Sequence, residues 1–264
     1  MKRFVLVSIL LLSLSSCRST YYYSVLNTDD EYVEKVGNGD FLMDSDSLWI
    51  AYCFKGEGAP IQITVFNKSN KPLYVDWERS ALIIDDVAMT YAGKKIDYAG
   101  DIDLVITNDR YATGTFDGMA PLPRDISFVP PQSMISEIPL GLNPNFEKIK
   151  KVYAGSHLQG KTGKNFKVDK AVFDENNSPL FFRSYLTVYE KPENPMTFEQ
   201  SFYMSDLIKT HRLSPNGLSS EMLEKGNFFY VQKHPNMSFV EGVLGVSLFV
   251  GVVALEVITA PDYD

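Results

Sequence analysis

Six prolines crowd into residues 121–144 (Pro121, Pro123, Pro130, Pro131, Pro139 and Pro144), and no helix survives such a density. A strand fits there only between prolines, as in Ser133-Met-Ile-Ser-Glu-Ile138. Upstream, short apolar runs are separated by turn residues. Leu48 to Phe54 reads as one strand. Ile61 to Trp77 reads as a hairpin around the turn Asn67-Lys-Ser-Asn-Lys-Pro72, and Ala81 to Ile84 as a strand ending at the turn pair Asp85-Asp86. Asp103–Thr107, Phe166–Val168, Phe181–Tyr189 and Phe198–Met204 follow as further strands. Two short helices are expected late, one capped by Ser205 and running to His211, the other capped by Ser220 and stopped at Gly226. The fold class is therefore mainly β: an antiparallel β-sandwich over residues 41–204, then short helices and connectors over 205–241 and a hydrophobic segment over 242–260.

The first residues look like an address. Lys2 and Arg3 precede an apolar run from Phe4 to Leu14, too short for a membrane-spanning helix and shaped like an export signal. It ends in Leu14-Ser-Ser-Cys17, which resembles the lipobox of bacterial lipoproteins. That resemblance implies a signal peptide over 1–16, cleavage before Cys17, and acylation of Cys17 with diacylglyceryl and palmitate-type chains. Residues 17–40, polar and Tyr-rich, are then expected to be a tether. Arg18 stands where an inner-membrane retention Asp would be, and no acidic run follows. The implied location is the outer membrane, facing the periplasm.

Removal of residues 1–16 leaves 23 basic and 33 acidic residues, a net charge of −10 against −8 for the whole chain. Such a body repels phosphate backbones, and nucleic acid is excluded as a partner. With Cys17 acylated, Cys53 is the remaining thiol of two, so no intrachain disulfide is expected.

The segment Ile61-x-Ile-x-Val-x-Asn67-Lys-Ser-x-Lys-Pro72-Leu-Tyr-Val, followed by Trp77-Glu-Arg-Ser80-Ala-Leu-Ile-Ile and Pro130-Pro-x-Ser133, resembles an immunoglobulin-like module. Similar modules occur in uncharacterised lipoproteins of Bacteroidetes. The resemblance covers about residues 45–140 and implies a fold, not an activity.

Chemical motifs are sparse. Gly155-Ser-His-Leu-Gln-Gly160-Lys161-Thr162 matches the P-loop string, but a charged segment precedes it and a strand-like alternation follows, so it reads as a solvated hairpin loop. His157, His211 and His234 lack ligand spacing, and Asp97, Asp101 and Asp103 read as a solvated turn rather than a calcium loop. No catalytic, cofactor-binding or metal-ligating set is expected. Trp77, Glu78 and Arg79 form a possible binding edge, with Trp77 itself more at home in the core. Gly242 to Leu255 carries no charge. Burial, a membrane span and an oligomerisation seam all remain open for it, although a span would put no Lys or Arg on the cytoplasmic side. The reading is a non-catalytic, lipid-anchored binding or structural module that contacts envelope proteins. Its alternative is an envelope-polymer hydrolase whose carboxylates are brought together by the fold.

Overall fold

The computed structural model describes residues 19–92, 125–146, 149 and 153–233. The signal peptide, Cys17, the Asp97–Asp103 turn, the Asp103–Thr107 strand, His234 and the 242–260 segment lie outside these residues.

The fold is mainly β, in two sheets. Fifteen strands are described: β1 Thr20–Asn27, β2 Val33–Lys35, β3 Phe41–Asp44, β4 Leu48–Cys53, β5 Gly56–Glu57, β6 Pro60–Asn67, β7 Leu73–Ile84, β8 Val87–Thr90, β9 Ile126–Val129, β10 Met134–Gly141, β11 Ala154–Gln159, β12 Asn165–Val172, β13 Phe181–Tyr189, β14 Pro195–Thr210 and β15 Phe228–Lys233. The smaller sheet runs β10-β6-β4-β3-β2. The larger runs β5-β15-β1-β14-β13-β7-β8, with β9 also on β7 and the β11–β12 hairpin also on β14. All pairings are antiparallel except the short β15–β5 pair.

Alternation builds the interface between the layers. β4 turns Leu48, Ile50 and Tyr52 inward and β6 turns Ile61, Ile63 and Val65 inward, all of them fully buried. They meet Val75, Leu82, Phe182, Leu186, Val188 and Phe202 from the larger sheet in one core. A second, smaller core lies on the opposite face of the larger sheet, where Tyr23, Val168, Ile208 and Phe228 pack beneath Leu213 and Leu218.

Several expectations need correction. Residues 20–27, expected within the tether, form β1, flanked by β14 and β15 inside the larger sheet. Ser205 to His211 is not a helix: β14 runs on through Thr210, and Ser205 Oγ donates to Val25 O. The 41–204 boundary thus cuts a continuous strand, and β15 extends the sheet further still. Ile61 to Trp77 is not a hairpin, because β6 and β7 belong to different sheets. The buried Asn67 makes the corner between them: its amide Nδ2 donates to Lys71 O, Val129 O and Pro130 O, while its Oδ1 accepts from Ser69. The late helix exists as α1, Ser220–Leu223, but its N-cap is Ser219, whose side chain accepts from Met222 N.

Other expectations match. β13 spans Phe181–Tyr189, as read from the sequence. Asp85 and Asp86 both take positive φ in the two-residue turn joining β7 to β8. β10 tolerates Pro139 because it is an edge strand and its register slips between Glu137 and Leu140. Gly226, however, is not the helix stop, since α1 ends at Leu223 with Glu224 as its C-cap; Gly226 instead allows a close backbone approach, because a Cβ there would fall 2.9 Å from the backbone N of Asp40.

Candidate functional site

The outer face of the larger sheet carries a row of rings. β13 and β9 flank β7 so that Tyr189, Tyr74 and Phe128 fall in cross-strand register. The Tyr74 ring centroid lies 5.5 Å from that of Tyr189, nearly parallel, and 5.5 Å from that of Phe128, tilted. The row grades from buried Tyr189 through half-buried Tyr74 to Phe128, which is 53% exposed. Ile126, two residues along the same face of β9, is 49% exposed.

Charges border this apolar strip. At one end Lys71 Nζ donates to both carboxylate oxygens of Glu190, at 2.9 and 3.2 Å. In the next cross-strand row, Asp76 lies between Thr187 and Ile126. Its carboxylate accepts from Arg79 N at 3.1 Å and faces the Arg79 guanidinium at 3.6 Å. Burial and the neighbouring Asp76 raise the Tyr189 phenol above its ordinary range, with Arg79 opposing.

Immediately beyond Asp76, β7 bulges. Its register against β13 shifts between Tyr185 and Thr187, so Trp77 to Ser80 face a single partner residue. The bulge separates the three residues expected to share an edge. Trp77 turns inward at 3% exposure, donates from Nε1 to Ser127 Oγ at 2.9 Å, and meets Tyr91 edge-on at 6.2 Å. Glu78 and Arg79 stay in solvent. Ser80 Oγ and Arg79 O close the bulge onto Thr187, accepting from its N and its Oγ1. Sequence reasoning missed Tyr74, Phe128 and Tyr189.

The P-loop string is β11 and a turn, followed by β12, and Lys161 N donates to Gly217 O at 2.8 Å. A helix N-terminus is what phosphate cradling needs, and a strand stands in its place. Among the described residues, no group of three His, Cys, Asp or Glu is placed to hold a metal ion. Nor is any described helix long and apolar enough to cross a membrane.

Cys53 closes β4, half-buried. Burial pushes its thiol up to about 11, the Asp40 charge adding and a backbone hydrogen bond from Lys55 opposing. Only the thiolate is nucleophilic, so in a Cys17→Ser chain iodoacetamide should alkylate Cys53 at pH 8 on the order of 100-fold more slowly than an ordinary thiol. The rate should rise about tenfold per pH unit up to pH ~10. A plateau near pH 8.5 would contradict this environment.

Comparison of the chain with protein-family models, curated proteins and solved structures finds no match.

Proposed function

We propose that this chain is a lipid-anchored protein of the bacterial outer membrane, facing the periplasm, whose immunoglobulin-like body is a non-catalytic binding module for another envelope protein. The anchor rests on Leu14-Ser-Ser-Cys17 and the export-like run before it. The observation that carries the binding role is the Tyr189–Tyr74–Phe128 row, its exposed end extended by Ile126 and bordered by Arg79 and Lys71. An apolar strip rimmed by charged groups is the ordinary make-up of a protein contact, with aromatic residues and Arg supplying the strongest contacts.

Two measurements test this. Palmitate labelling of wild type and Cys17→Ser, with separation of inner and outer membranes, should place label in the wild-type outer membrane and none in the variant. For the face, a photocrosslinking residue at position 128 or 126 in living cells should yield one discrete adduct. The same residue at the exposed position 175 should yield none. Phe128→Asp with Ile126→Asp should reduce the adduct formed from position 74 at least tenfold. Absence of any adduct from 126 and 128, or equal adducts from 175, would remove this face as the binding surface.

A further inference from the structure

One end of the larger sheet gathers cations in a chain that is otherwise acidic. Thr20 opens β1 opposite Lys233, the last residue of β15, and Tyr21 stands opposite Thr210, the last residue of β14. On the far edge of β14, Asp169 of β12 pairs with Lys209, which brings Lys167 toward the same end. Lys167, Asp169, Lys209, His211 and Arg212 thereby line a shallow depression of about 350 Å³. Lys167, His211 and Arg212 are exposed, whereas Lys209 is half-buried, its ammonium 5.9 Å above the Tyr22 ring. Three permanent cations face one carboxylate there. The neighbouring Lys170 points its charge elsewhere, into an ion pair with Asp206 at 2.6 Å.

The start of β1 is tied to this depression. Thr20 Oγ1 lies 3.0 Å from His211 Nδ1, a hydrogen bond whose direction follows the imidazole tautomer. Cys17 is three residues earlier, and three residues reach at most about 11 Å when fully extended. A lipid on Cys17 therefore keeps Thr20, and with it the His211 rim of the depression, near the leaflet that takes up its acyl chains. The uncharged run beginning at Gly242 follows β15, which ends at this same end of the sheet.

We propose that the depression formed by Lys167, Lys209 and Arg212 docks on the phosphate groups of anionic lipids, so that the body sits with this end against the membrane. The inference rests on the lipid-anchor reading. It goes further by fixing which end of the molecule meets the bilayer, and it leaves the Tyr74–Phe128 face turned sideways for a partner. Each basic residue close to an anionic leaflet is worth about a fivefold gain in affinity, so three with one opposing carboxylate give roughly 30-fold.

Vesicle flotation of residues 17–264 with Cys17→Ser, the expected mature length without the basic and apolar export run, isolates this attraction from the covalent lipid. Partition should be roughly 30-fold stronger on phosphatidylcholine vesicles containing about 30 mol% phosphatidylglycerol than on phosphatidylcholine alone. The gain should shrink at high salt. The triple variant Lys167→Gln, Lys209→Gln, Arg212→Gln should fall to the neutral-vesicle level while keeping the wild-type circular dichroism. Equal partition on both vesicles, or a triple variant that keeps the selectivity, would overturn the proposal. So would loss of vesicle binding on adding inorganic phosphate at constant ionic strength, which marks a site for the free ion. Palmitate labelling of the wild type reads the anchor separately. Label without vesicle selectivity refutes the docking alone, and selectivity without label refutes the anchor alone.

Discussion

Phe202→Ala is expected to lower the stability of the fold by about 3–5 kcal/mol, the range for truncating a fully buried phenylalanine where neighbours cannot collapse. Phe202 belongs to β14 in the larger sheet, yet its ring lies 5.1 Å from Phe41 and Phe54 and 5.2 Å from Tyr52, all on the smaller-sheet side. Phe182, its cross-strand partner, is 5.4 Å away. With rings on several sides the cavity stays open, and the two layers lose the side chain that links them most directly. Domains hold only about 5–15 kcal/mol in total, so the variant should be marginal at 37 °C. Phe181→Ala is the control. Phe181 precedes Phe182 on β13, faces outward at 38% exposure, and its truncation should cost less than about 1.5 kcal/mol. Urea denaturation of both variants checks the contrast. Comparable losses at the two positions would mean that the inter-sheet packing is not organised around Phe202.

Strands with one dry face announced themselves in the sequence and strands dry on both faces did not. β4 and β6 alternate plainly, and the Phe181–Tyr189 run is found residue for residue. β1 carries Tyr22 into the main core and Tyr23 into the second, so the period-2 signature vanishes and the polar composition suggests a tether. The end of β14 is hidden for the same reason: Leu207 enters one core and Ile208 the other, which mimics a short helix beginning at Ser205. Alternation is also silent about partners. β6 and β7 look like the arms of a hairpin, and only the corner built by Asn67 sends them into separate sheets. The candidate surfaces were out of reach for a related reason. Tyr74, Phe128 and Tyr189 come from distant parts of the chain and meet only through strand register, as do Lys167 and Lys209. Trp77, Glu78 and Arg79 are adjacent in sequence, yet the bulge sends them to opposite sides.

Alkaline unfolding should be steep and should begin near pH 10. Between the sheets, Tyr91 OH donates to Ser184 Oγ at 2.8 Å, Ser184 Oγ donates to the Tyr52 hydroxyl at 3.1 Å, and Tyr52 OH donates to Gln200 Oε1 at 2.7 Å. The donors run in one direction and end on an amide oxygen, which satisfies a polar line inside an apolar core. Burial raises both phenols far above the ordinary tyrosine range; ionisation of Tyr91 would raise Tyr52 further, and the Ser184 bonds offset part of each shift. A pKa raised in the folded state contributes stability that is complete below the unfolded value of about 10 and is lost as pH rises above it. Two phenols that release their protons only on unfolding cost about 3 kcal/mol per pH unit in that window. Tyrosinate absorbance near 295 nm, followed together with near-ultraviolet circular dichroism, should show exposed phenols ionising first and these two only as the tertiary signal disappears. Tyr52→Phe removes one linked proton, so the pH slope should fall by about 1.4 kcal/mol per pH unit. At neutral pH the variant should lose about 1–3 kcal/mol, because Gln200 Oε1 and Ser184 Oγ lose their partner. A fold that keeps its tertiary signal at pH 11 with every tyrosine ionised would show that this line of hydroxyls is open to water.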